Sequence, residues 1–321
     1  MASSSPNILV IGSSNTDLII QVARIPKPGE TVLGGTFTRA AGGKGANQAV
    51  AAARAGGDVT LLARVGCDAN GDQSIAGFST DGINVSHIIK DKRNPSGVAL
   101  IFVGADGENS IAVASGANDF LSPGDVRKAN RLISKAGVLL LQLETPLATV
   151  QEAVRIATRA GVRSVLNPAP AQPLPPALLK QLYLLTPNET EAELLTGIPV
   201  SDIPSAEQAA LKLLAQGVQN VIITLGSRGS FIAGEGIRQP IPGLKVVAVD
   251  ATGAGDVFNG ALCVALAAGS PLLVAAQFAT AAAAISVTRL GAQPSAPTRR
   301  EIEATVRTGR VTHRTTRKPN K

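Results

Sequence analysis

The chain has no tryptophan, one tyrosine and seven phenylalanines, so aromatic residues make up 2% of its 321 positions. Single-stranded nucleic-acid binders stack bases on aromatics set among basic residues, and no such set is present. A core must instead be filled by Ala, Val, Leu and Ile. Histidine is almost as scarce. His87 and His313 lie far apart, which argues against a His-dependent triad or a His-rich zinc site. The two cysteines, Cys67 and Cys263, form no CxxC pair and suit a reducing compartment. With no basic or long apolar stretch in Met1–Pro6, no secretory signal is expected, and the cytoplasm is the expected location. No Gly-x-Gly-x-x-Gly follows the first apolar segment, so a dinucleotide dehydrogenase is poorly supported. One uncharged run, Val257–Thr288, has the length of a membrane span. Gly269-Ser270-Pro271 interrupts it and Asn259 and Gln277 dilute it. Two buried helices joined by a turn explain it better, and no membrane partner is expected.

Hydrophobic residues make up 45% of the chain, enough for a sizeable core, and the length allows one large or two ordinary domains. We read residues 1–321 as a single domain. The net charge of +7 is unevenly placed, because eight Arg or Lys and two Glu fall between Arg299 and Lys321. Residues 305–321 are therefore expected to form a basic, solvated, frayed tail, and no nucleic-acid partner is expected.

Asn7–Gly12 reads as a short strand. Ser13–Asp17 is polar and turn-like, and Asn15 and Asp17 suit either a polar ligand or an Asx turn. Leu18–Val22, Thr31–Ala41 and the hairpin Val98–Val103 with Ser110–Ala114 are strands that do not alternate with helices. They predict a small separate sheet within 18–41 and 96–115. From Ser122 onward strands and helices alternate, which predicts a mostly parallel sheet covered on both faces. Glu144, Asn167, Thr186-Pro187-Asn188, Thr224 and Gly226–Gly229 follow strand ends, where open α/β sheets bind ligands.

Two stretches stand out. Gly42-Gly43-Lys44-Gly45-Ala46-Asn47-Gln48 is a glycine loop opening a helix, but it is not a Walker A loop, because Gly follows the Gly-Lys pair where Ser or Thr is needed. Val249–Gly260 sets Gly253-Ala254-Gly255 and then Asp256 between Leu244–Ala248, which reads as a strand end, and a buried helix. Backbone N–H groups of such a turn, aided by the helix dipole, suit an anion. Asp256 at its edge suits proton removal from a hydroxyl. An ordinary Gly-rich turn with an acid near a helix start is the alternative.

With these motifs in order some two hundred residues apart, and with Gly56 and Gly66 at matching spacing, the sequence resembles the ribokinase branch of the PfkB carbohydrate kinase family from about Asn7 to Ala304. Ala251 departs from the family's usual Thr, Ser or Pro. The resemblance implies a doubly wound α/β sheet with helices on both faces, a small β-sheet lid, and ATP-dependent phosphorylation of D-ribose at its 5-hydroxyl. It implies Asp256 as base and Gly253, Ala254 and Gly255 as anion hole. Asn15, Thr16, Asp17, Gly43, Lys44, Gly45, Ala46, Asn47 and Glu144 would hold the sugar. Asn188, Thr224, Leu225, Gly226, Ser227, Arg228, Gly229, Gly255, Asp256 and Thr280 would hold the nucleotide. Glu191 would reach Mg²⁺ through water. Asp250, Thr252, Ser286, Arg289, Gly291 and Ser295 would bind K⁺, many through carbonyls. It also implies a homodimer through the lid.

Two other readings stay open. A relative acting on another sugar or a nucleoside is one, although no aromatic residue adjoins Asn15–Asp17 or Gly43–Asn47 to face a base. A non-catalytic sugar- or nucleotide-binding regulator on the same fold is the other.

Overall fold

Along Asn7–Ile11, Ile8 and Val10 enter one hydrophobic core while Leu9 and Ile11 enter a second on the opposite side. Val138–Leu141 and Asn220–Thr224 divide in the same way, because successive strand residues point to opposite faces. Both faces of the main sheet are therefore covered by helices. The computed structural model describes residues 7–106 and 108–311.

Among the described residues, eight strands form this sheet in the order Ile237–Pro242, Gly229–Gly234, Asn220–Thr224, Leu184–Leu185, Arg163–Leu166, Val138–Leu141, Asn7–Ile11, Asp58–Leu62. Pairing is parallel from Asn220–Thr224 to Asp58–Leu62 and antiparallel through the hairpin at the other edge. A second sheet orders Thr36–Gly42, Asn15–Gln21, Gly97–Val103 and Asn109–Ala114. The doubly wound α/β fold with a small added sheet is thus present. A short parallel pair, Arg64–Gly66 with Ile89–Asp91, stands apart.

Several expectations need correction. Asn15–Asp17 is the start of a strand, not a turn. Of Thr31–Ala41, only the part from Thr36 is strand. The glycine loop is shorter than expected, because the helix Lys44–Arg54 begins directly after Gly43. Leu244–Ala248 forms no strand. Its β-branched residues fit one, but Ile237–Pro242 already occupies the sheet edge. That edge hairpin and the helix Ala69–Thr80 were not anticipated. The helix has an N-cap signal, Asp68, whose side chain accepts from the Gly71 amide at 2.8 Å, but Gly71 and Gly77 obscure its periodicity. The stretch expected as tail also begins inside a helix. Arg299–Thr308 is a helix with Thr305 buried, and the part of the expected tail from 312 lies outside the described residues.

The two motifs sit on helices that pack against each other: Lys44–Arg54 and Ala254–Ala267, which with Leu272–Ser286 account for the uncharged run. A Cβ at Gly260 would lie 2.7 Å from the Gln48 carbonyl oxygen and 2.8 Å from the Ala51 Cβ. Gly260→Val would recover only about 0.3 kcal/mol of helix propensity but force the helices apart at about 1–3 kcal/mol or more. Urea denaturation is expected to show a lower midpoint with an unchanged slope. A midpoint at or above that of the parent would mean the contact has slack.

Candidate active site

The carboxyl ends of the parallel strands and the starts of both motif helices meet at one edge of the sheet. Asp256 lies in the first turn of Ala254–Ala267 and is 6% exposed. Its Oδ2 accepts from Asn47 Nδ2 at 3.0 Å and its Oδ1 from Gln48 Nε2 at 2.9 Å. Burial pushes its pKa up. The Lys44 charge and the two amide donors pull it back, and Glu144 adds to the rise.

Gly253 caps this helix at φ 73°, a left-handed conformation favoured by glycine. A Cβ there would lie 2.8 Å from that of Ala292, whereas Gly255 faces open space. The first-turn amides of a helix have no partner within it. Of the three residues expected to form an anion hole, Ala254 commits its N–H to the Ala251 carbonyl at 3.2 Å.

On the small sheet, Asp17 lies against Gly42, where any Cβ would collide with its carboxylate. Asn15 Oδ1 accepts from Asn118 Nδ2 at 2.8 Å. Glu144 Oε2 accepts from the Lys44 amide at 2.8 Å and from the Ser13 hydroxyl at 2.5 Å. Burial first, and the Glu144 charge second, push the Asp17 pKa up to about 6. Asn15 with Gly43, Glu144 with Lys44 and Asp17, and Asn47 with Asp256 are therefore neighbours in pairs. Thr16, Gly45 and Ala46 contribute differently. Thr16 lines a separate small cavity with Arg39 and Asn70. Gly45 packs its backbone on Gly12 and Ser13, and Ala46 is in the core.

Next to Asp256 a cavity of about 570 Å³ is lined by Thr224, Gly226, Ser227, Gly229, Gly255 and Thr280 from the expected nucleotide set. Leu244, Lys245, Val246, Phe258, Ala284 and Val287 also line it. They were missed because they come from a loop read as strand and from helix faces read only as core. Leu225 is buried in the core, and Arg228 turns outward to Glu189 and the Ser201 carbonyl. Asn188 caps the helix Glu189–Thr196 in a reciprocal box with Glu191. The Glu191 carboxylate accepts from the Asn188 amide at 2.9 Å and Nδ2 at 3.0 Å. Burial raises the Glu191 pKa, the Asn188 bond and Lys44 oppose the rise, and Asp256 adds to it.

Asp250 joins two loops, accepting from the Thr252 amide at 2.9 Å and the Gly291 amide at 2.8 Å. Burial works against its charge, but these bonds outweigh it and the pKa is lowered. The Ser286 and Ser295 hydroxyls donate to the carbonyls of Ala283 and Ala292. The Arg289 side chain binds Glu301 at 2.8 Å.

A buried chain of polar side chains behind the cleft was not anticipated. It comprises Gln142, Gln48, Asn167, Thr186 and Asn259. Gln48 and Asn259 lie in the two stretches singled out above and Asn167 and Thr186 follow strand ends, but nothing in the sequence joins them.

A family model described as pfkB family carbohydrate kinase matches residues 5–299. The chain belongs to this family. Within the pfkB family it is 47% identical to ribokinase of Haemophilus influenzae, over 92% of this chain and 96% of that protein. It is 40% identical to deoxyribokinase of Salmonella typhi, over 91% and 95%. The solved structure of Arabidopsis thaliana ribokinase complexed with ribose and ATP superposes with a TM-score of 0.86 at 34% identity, covering 94% of this chain and 99% of that one.

Asp17 offers a test of these electrostatics. Its pKa of about 6 exceeds the unfolded value of 3.8, so the folded state binds the extra proton. That stability is present in full below pH 3.8 and is lost as pH rises through 6. The loss is about 1–3 kcal/mol. Asp17→Asn is therefore expected to raise the melting temperature relative to the parent more at pH 7.5 than at pH 4. An equal shift at both values would remove the buried-charge account.

Proposed function

We propose that this protein transfers the terminal phosphoryl group of ATP to the 5-hydroxyl of D-ribose, giving D-ribose 5-phosphate and ADP. The observation that carries this reading is the place of Asp256. It stands between the polar cluster of Asn15, Asp17, Lys44, Asn47 and Glu144 and the cavity that begins at Gly255. Short Asn, Asp and Glu side chains suit paired sugar hydroxyls, and the largely apolar cavity suits a base and its ribose. Phosphoryl transfer needs alignment, charge neutralisation and proton removal. Asp256 takes the proton of the attacking hydroxyl, a role worth ~10²–10⁴-fold. The backbone amides of Gly253 and Gly255 face the transferring group, and Lys44 balances charge between Asp256 and Glu191.

The residues present fit two cations. Glu191 has both carboxylate oxygens engaged by Asn188, which suits contact with a hydrated Mg²⁺ through water. When bound with the nucleotide, Mg²⁺ supplies charge neutralisation on the phosphates. Asp250, kept ionised between two loops, and the neighbouring carbonyls form the oxygen-rich donor set that suits K⁺. They would hold it beside the turn that leads into Gly253.

The reading extends to location and assembly. Among the described residues the two cysteines are free, which supports a reducing compartment such as the cytoplasm, and no helix is long and apolar enough to cross a membrane. The small sheet is the proposed lid and dimer surface. In its register Asp17, Ala99 and Val113 align, as do Ile19, Ile101 and Ile111, so the face that carries Asp17 continues into apolar residues. Ile111 and Val113 remain half-exposed there. A second copy would cover them. Ile111→Asp is expected to shift the protein to monomer in sedimentation velocity and to raise the KM for ribose. An unchanged assembly state would remove this surface from the proposal.

The central assay measures ATP consumption with ribose, 2-deoxyribose or adenosine, with and without Mg²⁺ and K⁺. Ribose is expected to be the best substrate, with no turnover without Mg²⁺ and slower turnover when Na⁺ replaces K⁺. The Salmonella typhi relative makes 2-deoxyribose the competing substrate to rank against it. Asp256→Asn is expected to lose at least ~10²-fold in kcat while binding ATP as before. Near-parental turnover would overturn the assignment of the base.

A further inference from the structure

The Asp256 carboxylate takes its donors from amide side chains, and an amide can present either its NH₂ group or its oxygen. The orientation is therefore a chemical question, answered by the surrounding network. The Thr186 main-chain carbonyl has no proton to give, and Asn167 Nδ2 donates to it at 3.1 Å. Asn167 must then turn Oδ1 the other way, where it accepts from Gln48 Nε2 at 3.0 Å. The same Nε2 reaches Asp256 Oδ1 at 2.9 Å. On its far side Gln48 Oε1 accepts from Gln142 Nε2 at 2.5 Å. Asp256, Thr186, Asn167, Gln48 and Gln142 are all buried, so bulk water has little access to these bonds.

We propose that Gln48 and Asn167 are positioning residues for phosphoryl transfer: the Thr186 carbonyl orients Asn167, Asn167 orients Gln48, and Gln48 offers Asp256 a donor and never an acceptor. This rests on Asp256 being the base. A donor stabilises the ionised carboxylate that can take a proton, whereas an amide oxygen in its place would favour the protonated acid. The charged groups facing Asp256 do not settle the matter by themselves. Lys44 favours ionisation, but Glu144, after the Val138–Leu141 strand, opposes it. Glu191, on the Glu189–Thr196 helix, is coupled to Asp256 in the same unfavourable sense. Asn47 supplies a donor to the other oxygen only. Thr186 acts on the anion hole as well. Its hydroxyl donates to Asn259 Oδ1 at 2.6 Å, and Asn259 Nδ2 donates to the Gly255 carbonyl at 2.8 Å. One residue thereby holds both the base's orienting chain and the helix turn that carries Gly255.

The test is the pH dependence of kcat/KM for ribose in Gln48→Met, Asn167→Leu and Gln142→Met. Gln48→Met is expected to move the acid limb of kcat/KM up by about one pH unit, a loss of about 10-fold on the acid side of the limb that shrinks as pH rises above it, with the KM for ATP within about twofold of the parent. Asn167→Leu, which does not touch Asp256, is expected to move the limb in the same direction by less, and Gln142→Met by least. A loss of activity that is uniform across pH, with the acid limb in place, would reduce the network to packing and overturn the proposal. Should Gln48→Met fail to fold, the limb in Asn167→Leu decides alone. Asp256→Asn separates the two ideas. If it turns over normally, the base assignment fails. If it is inactive while the limb stays fixed in the amide variants, only the network fails.

Discussion

Two helices begin within hydrogen-bonding reach of each other, and the cleft is built on that closeness. Asn47 and Gln48 in the first turns of Lys44–Arg54 meet Asp256 in the first turn of Ala254–Ala267. Side-chain amides are short, so the two backbones must nearly touch. They do so because Gly260 lies directly against the Gln48 carbonyl, the Ala51 methyl and the Ala52 amide, with no side chain between. The scarcity of aromatic residues and the abundance of alanine follow from the same need. A core filled by Phe and Trp would hold these helices too far apart for an amide to reach a carboxylate.

The architecture was legible where a repeating pattern produced it. Strand–helix alternation from Ser122 onward gave the parallel sheet, and the non-alternating strands before it gave the small one. What escaped had a specific physical cause. The hairpin Gly229–Gly234 with Ile237–Pro242 closes the sheet edge antiparallel, which alternation does not foresee. Leu244–Ala248 has the residues of a strand and no partner to pair with. Asn15–Asp17 looked like a turn because it is polar. It is a strand, so polarity there reports what the side chains meet, Asn118 for Asn15 and Glu144 for Asp17, rather than the backbone.

In the candidate site, the glycine stretches, the acids and the polar residues at strand ends were legible in the sequence itself, and the resemblance supplied Lys44, Asn47 and Thr280. Asn188-x-x-Glu191 shows how one pattern serves two ends. It is a helix-capping box in geometry, and the same bonds hold a buried carboxylate near Lys44. The amide chain behind Asp256 had no local signature, since Gln48, Gln142, Asn167, Thr186 and Asn259 come from five separate segments. Only the fold makes them consecutive. Its direction is set by a backbone carbonyl, which no sequence pattern distinguishes from any other.

The balance of charge carries the functional reading one step further. Asp17, Glu144, Glu191 and Asp256 interact across a space that holds one ammonium, Lys44. Burial raises three of these carboxyl groups above their ordinary range, so the protein alone keeps them ionised at a cost. On the function proposed above, a sugar hydroxyl donating to Asp17 would lower that cost, which links substrate binding to relief of an existing strain. A bare triphosphate would raise it, since like charges in a low-dielectric cleft repel strongly. On the same proposed function, the nucleotide would bring its own cation, and Glu191, already fixed by Asn188, would meet that ion's water shell.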